Sequence, residues 1–284
     1  MLNINTNYAA SFAANAAKQT SSGLDSAMEK LSTGSRINYA KDDAAGLAIS
    51  TRLSAEVQGL AMASRNAADA QSMIDTADGA LGETQNLLLR MRELAVQSAN
   101  GTMIQSDRDA LNAEYQALEA EITRIDSNTS WAGKTLFDGS ATTFQVGTAA
   151  GGANYISHTI GDMASATIID QIETNGATAG GLADADILTQ AKAQLTITEV
   201  DEAIGRVSAE RGSLGAVSNR LSSTMSNLDQ VAVNLSASQG RIQDADFAAE
   251  TGNLAKNQIL QQAATAMLAQ ANASKSSVLT LIRN

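Results

Sequence analysis

Few residues in this 284-residue chain could do chemistry, since it holds one histidine and no cysteine. The run Asn128-Thr129-Ser130-Trp131-Ala132-Gly133-Lys134-Thr135 has the Gly-Lys-Thr spacing of a phosphate loop, but Asn128 stands where that loop needs glycine. Its context is also inverted, with a helical pattern before it and a strand pattern after it, so no helix N-terminus would face a phosphate. Trp131 is expected to pack that region onto the helices. Asp42 and Asp43 could be imagined as an acid/base pair, yet adjacent carboxylates ahead of a long periodic run serve as a helix cap and complement the macrodipole. Asp244 and Asp246 read the same way. His158 sits in a strand pattern with no second imidazole and no thiolate, whereas a zinc site needs several such ligands. The middle of the chain, 128–194, therefore offers no reactive constellation, and neither an enzyme nor a cofactor or metal site is expected.

What remains is the framework. Aromatic residues make up 3% of the chain and proline is absent, while the 44% hydrophobic content is dominated by alanine. Such a composition favours long uninterrupted helices that approach closely rather than a thick core. The net charge of −11 opposes phosphate neutralisation, so nucleic acid is not expected as a partner. No stretch approaches 18 apolar residues, so membrane insertion is not expected either. The first basic residue is Lys18 and no apolar h-region follows a basic start, so export would need a route other than the cleaved general signal.

Both ends carry apolar and small residues spaced four and three apart. Toward the amino end these are Ala10, Ala14, Ala17, Ser21, Leu24, Met28 and Leu31; toward the carboxyl end they are Leu260, Ala264, Met267, Ala271, Ser274, Val278 and Leu281. A period near 3.5 marks a seam that another helix must cover. Leu53, Leu60, Ala67, Ile74, Leu81, Leu88 and Ala95 recur every seventh position, predicting a helix over about 44–99 that ends at Asn100-Gly101-Thr102. Ser106 or Asp107 is expected to cap a second helix through Leu111, Tyr115, Leu118, Ile122 and Ile125. Alternation in 143–146 and 155–160 around a Gly-rich turn predicts a β-hairpin, and 176–181 a surface loop. Val200, Val207, Leu214, Leu221, Leu228 and Leu235 predict a third long helix. The fold class is thus mainly α: an elongated antiparallel coiled-coil-like rod with paired terminal helices and a small β-hairpin tip. Its parts are terminal helices over 1–33 and 241–284, connections at 34–43 and 236–240, a rod over 44–127 and 195–235, and a tip with a shortened variable stretch over 128–194. The terminal seams bury little area, so they are expected to order only when copies stack.

Several segments resemble bacterial flagellin. They include Leu31-Ser32-Thr33-Gly34-Ser35-Arg36-Ile37-Asn38, Ala40-Lys41-Asp42-Asp43-Ala44-Ala45-Gly46, Arg92 through Asn100, Arg241-Ile242-Gln243-Asp244-Ala245-Asp246 and Gln258 through Ala263. The resemblance implies a filament subunit for swimming motility, secreted by the flagellar type III export apparatus and assembled into a helical homopolymer. Implied partners are other copies of the chain, the filament cap and hook-junction proteins, and an export chaperone. The hook–filament junction protein, similar at both ends, is the alternative. Leu24, Met28, Leu31, Leu260, Met267, Val278 and Leu281 are the expected assembly seam. By the same resemblance Arg90, Leu94 and Glu114 match the surface seen by the vertebrate Toll-like flagellin receptor, with Leu89 where activating members usually have Gln. Ser140, Thr142, Thr143 and Ser157, on the outward tip, are sites for O-linked sugars.

Overall fold

The computed structural model describes residues 6–149, 151, 154–161 and 186–283, with side chains as far as Ser274. Among them are five helices and two short antiparallel strand pairs, in the order α1 (Tyr8–Thr33), α2 (Ala44–Ser98), α3 (Gln105–Asn128), β1 (Ser130–Trp131), β2 (Lys134–Thr135), β3 (Ala141–Gln145), β4 (Tyr155–Thr159), α4 (Gln190–Gln243) and α5 (Phe247–Arg283). This is the mainly α architecture that the heptads predict. The loop expected at 176–181 lies outside the described residues.

The chain divides into two compact units, 1–57 with 233–284, and 58–232. In the second, the heptad residues are the core: Ala67, Ile74, Leu81, Leu88, Met91 and Ala95 of α2 pack with Tyr115 and Ile122 of α3 and with Val200, Val207, Leu214 and Leu221 of α4, all buried. Half-exposed ion pairs border the same helix contact. Arg211 of α4 forks onto Asp78 of α2 at 2.7 and 3.3 Å and reaches Gln85 at 2.7 Å, and Arg92 pairs with Asp201 at 2.5 Å.

The stretch resembling a phosphate loop is a tight β1–β2 hairpin. Ala132 (φ 50°) and Gly133 (φ 84°) supply the two positive φ values that its two-residue turn demands. Trp131 packs against the core as expected, and Lys134 Nζ donates to Thr142 Oγ1 at 2.6 Å. In the β3–β4 hairpin, Phe144 faces Ile156 and Thr142 faces His158 on the inward side, while Thr143 and Ser157 pair on the outward side. His158 Nε2 lies 3.5 Å from Glu210 Oε1 of α4, with both side chains largely buried.

Three local expectations are corrected. Residues 236–240 are not a connection: α4 runs on through them to Gln243, because a single glycine costs a helix only about 1 kcal/mol and Ser238 Oγ is satisfied by Asn234 O. The chain turns instead at Asp244–Asp246. Neither Ser106 nor Asp107 caps α3, which starts at Gln105 after Ile104 without a side-chain cap; Gln105 Nε2 is bonded to Asp109 and to Leu188 O. Of the two aspartates before α2, only Asp43 caps it, accepting from Gly46 N at 2.8 Å. Asp42 instead accepts from Asn38 N and Tyr39 N and closes the preceding turn. A Cβ at Gly46 would sit 2.5 Å from Asp43 Oδ2 and 2.7 Å from Ile37 Cδ1, so a side chain there would push against the cap. Asp246 caps α5 by accepting from Ala248 N and Ala249 N, as the sequence predicts.

Candidate assembly surface

The first unit is built on α1 and α5, which pack antiparallel. Asn7 Nδ2 donates to Ala271 O at 3.2 Å at one end of the contact, and Lys30 meets Glu250 at 3.6 Å toward the other. Between them Gly23 abuts the Asn257 side chain, so close that a Cβ would lie 3.0 Å from it. Beyond α1, Gly34 takes the left-handed conformation (φ 70°) that ends the helix. Gly34 O then accepts from Ala245 N, and Arg36 N donates to Gln243 O at 2.6 Å, so the two connections are zipped together.

The residues buried in this pair are small: Ala13 and Ala27 on α1 and Ala264 on α5. One stripe of the predicted amino-terminal seam, Ala10, Ala17, Leu24 and Leu31, does lie on the covered side. In the other, Ala14 and Ser21 are half-buried beside the buried Ala13 and Ala27, and Met28 is exposed. On α5, Ala264 and Ala271 face inward, and Gln261 and Leu268 are half-buried where Leu260 and Met267 are exposed. Ala13, Ala27 and Ala264 make the closest contacts, where nearly touching axes accept only small residues, and Leu24, Leu31 and Leu268 flank them half-buried. Met28 (55% exposed), Leu260 and Met267 (63%) are therefore outward. The side chains of Val278 and Leu281 lie outside the described residues.

With these residues outward, Tyr8, Phe12 (79% exposed), Phe247 and Ile259 add further uncovered apolar surface to the same unit. Between α1 and α5 runs a groove of about 440 Å³, lined by Phe12, Ala13, Ala16, Leu260, Met267 and their neighbours, with almost no polar wall. Large side chains outside and small ones inside invert a globular pattern, and exposed apolar surface of this kind marks a binding face. Its chemistry is association.

The remaining predicted site residues fall in the second unit. Arg90 Nε and Nη2 donate to Glu114 Oε1 at 3.0 and 2.9 Å, and Nη1 donates to Glu93 at 2.9 Å. These carboxylates raise the guanidinium pKa above its ordinary value, Glu93 contributing most. Leu94 is not beside them on the surface: it is 1% exposed and belongs to the core, which corrects its expected place on an exposed contact surface. Exposed Leu89 is the apolar residue available there. Ser140, Thr143 and Ser157 are exposed, but Thr142 faces inward with its hydroxyl held by Lys134. Sequence reasoning missed the buried polar clamp on the entry to α4, where Ser98 Oγ donates to Ile187 O and Asn112 Oδ1 accepts from Ile187 N at 3.1 Å. Both residues interrupt no apolar period, so nothing in the pattern marks them.

Fold and surface together define a helical assembly subunit. Residues 4–142 match the bacterial flagellin N-terminal helical region and residues 197–282 the C-terminal helical region. The chain is 45% identical to a flagellin of Halalkalibacterium halodurans over 90% of its own length and 91% of the relative's. To a flagellin of Bacillus subtilis it is 42% identical over 99% and 100%. Among solved structures, a crystal structure of Bacillus cereus flagellin covers 62% of this chain and 94% of its own, with 31% identity and a TM-score of 0.47. This chain belongs to the bacterial flagellin family, and as such it is a structural subunit of the flagellar filament, a homopolymer, and not an enzyme.

Proposed function

We propose that the outward apolar face of α1 and α5 is the seam on which copies of this flagellin stack, and that these helices become fully ordered only there. The observation that carries this reading is the exposure of Phe12, Met28 and Met267 on a pair whose fully buried described residues are alanine. Covering that surface supplies the burial that the isolated pair lacks. Export through the flagellar type III apparatus fits the same feature. A chain without disulfides whose end helices are thinly packed is cheap to thread unfolded, and secretion then places it outside the cell. Before export, an amphipathic α5 suits a chaperone groove; at the growing end, filament cap and hook-junction proteins are the expected neighbours. The hook–filament junction alternative is disfavoured by flagellin identity over nearly the whole chain. Sugars on the outward tip are proposed at Ser140, Thr143 and Ser157.

The test is hydrogen exchange of monomer against seeded polymer. Amides of α1 and α5 should exchange fast in monomer and slow together on growth, while those of 58–232 stay protected in both. Protected ends in a monomer that never elongates seeds would reject the assembly reading. A second reading, recognition of released monomer by the vertebrate Toll-like flagellin receptor, is favoured by the exposed Arg90–Glu114 pair bridging α2 and α3. Equal signalling by wild-type monomer and Arg90→Ala would exclude it.

A further inference from the structure

The connection between α2 and α3 carries an exposed Asn-Gly step. Asn100 and Gly101 are both exposed, and Gly101 has open space where a Cβ would stand. The surrounding amides are engaged: Asn100 N donates to Gln97 O, Met103 N to Asn100 O, and Thr102 N to Asn100 Oδ1, each at 3.2 Å. Gly101 N–H and Asn100 Nδ2 donate to no acceptor among the described residues. Arg108 spans the turn, with Nη2 on Asn100 O and Nε on Ser98 O, both at 3.0 Å.

We propose that Asn100 is a self-modifying site, which converts to a succinimide and then to aspartate or isoaspartate. Gly101 N attacks Asn100 Cγ; the new N–C bond forms as the Cγ–Nδ2 bond breaks, and the Gly101 proton leaves with Nδ2 as ammonia. Water then adds to either imide carbonyl and opens the ring. The nucleophilic nitrogen is free of a competing hydrogen bond and unhindered by a side chain, the leaving nitrogen is unanchored, and Thr102 N–H already touches the oxygen on which negative charge develops. The Arg108 guanidinium, donating to Asn100 O, polarises the Asn100–Gly101 peptide and so acidifies the Gly101 N–H that must be lost. The outcome is an added negative charge at the α2–α3 connection, and in the isoaspartate product a backbone longer by one carbon. It would accumulate with the age of each subunit.

The experiment incubates the full-length folded chain, in parallel with the same chain held in guanidinium chloride, at mildly alkaline pH. Peptide mapping follows the exchange of NH2 for OH at each asparagine, isoaspartyl methyltransferase labelling detects isoaspartate, and hydroxylamine cleaves at succinimide. The expected result is conversion at Asn100 at least as fast folded as unfolded, with both products and cleavage between Asn100 and Gly101. Gly101→Ala should slow it many-fold and Arg108→Gln several-fold. Slower conversion in the folded chain than in denaturant would overturn the proposal, as would aspartate alone without hydroxylamine cleavage. The wild-type comparison stands even if a variant folds poorly. Asn175-Gly176, the same dipeptide outside the described residues, serves as an internal reference.

Discussion

The two units use the same helical repeat to opposite ends. In 58–232 the seventh-position residues are Leu81, Leu88, Leu214 and Leu221, wholly buried and joined by Tyr115 and Met91. In the α1–α5 pair the fully buried positions among the described residues are alanine, Leu24, Leu31 and Leu268 are only half-buried, and Phe12, Met28 and Met267 are exposed. A buried leucine contributes about 1.5–3 kcal/mol relative to exposure, and an alanine methyl far less. Ordering each residue costs about 1–2 kcal/mol in both cases. The 58–232 unit thus resembles a finished domain and the α1–α5 unit half of an interface. A heptad alone does not say which; residue size at the repeat does.

That contrast can be broken most strongly in the core. Leu88→Ala should destabilise the 58–232 unit by about 2–5 kcal/mol, because a fully buried leucine leaves both transfer loss and a cavity; denaturant titration followed by circular dichroism measures it. The matching change in the other unit, Phe12→Gln with Met267→Gln, should leave the denaturation midpoint unmoved and abolish seeded polymerisation. Polymerisation at the wild-type rate would mean that copies meet elsewhere. A large fall in monomer stability would mean that the pair is already a complete core.

Most of this contrast is legible in the sequence, and the part that is not has a physical cause. The heptads from Leu53 to Ala95 and from Val200 to Leu235 specify long helices because nothing in them competes with that period. The end seams are legible as seams but not in their rotation. Alanine is equally acceptable inside and outside, so Ala13 and Ala14 carry no preference, and only the approach of α5 selects between them. The α4 boundary escaped for a related reason, since Ser236 to Gly240 is weakly helical locally and the continuing helix decides it. Arg90, Leu94 and Glu114 came from the resemblance alone; the structure joins Arg90 to Glu114, whereas the rotation of α2 in its bundle buries Leu94.

A smaller effect sharpens the core side of the comparison. Tyr115 is buried with its hydroxyl unpartnered among the described residues. Burial above all, with Glu119 and Glu199 nearby, pushes its pKa above the ordinary value. An unsatisfied buried polar group costs about 1–3 kcal/mol, so Tyr115→Phe should raise stability, by about 1 kcal/mol if the ring keeps its place. A loss of stability in denaturant titration would show that the hydroxyl has found a partner in solution.

The smallest effect belongs to the first unit, at the turn before α2. The Asp42 carboxylate accepts from Tyr39 N and Asn38 N. Those bonds, led by Tyr39, hold its pKa below the ordinary 3.8, with Lys41 and Lys30 adding to them. Because the folded value is the lower one, the contribution is complete above the unfolded value and is lost as pH falls through the folded value, below 3.8. The amide resonances of Asn38 and Tyr39 should therefore move together over that acid range and titrate below a free aspartate. Asp42→Asn should flatten both profiles while the α2 amides behind Asp43 keep theirs. If the α2 start moves in step with Asn38 and Tyr39, turn and cap act as one element, and the first unit is more cooperative than its thin α1–α5 contact implies.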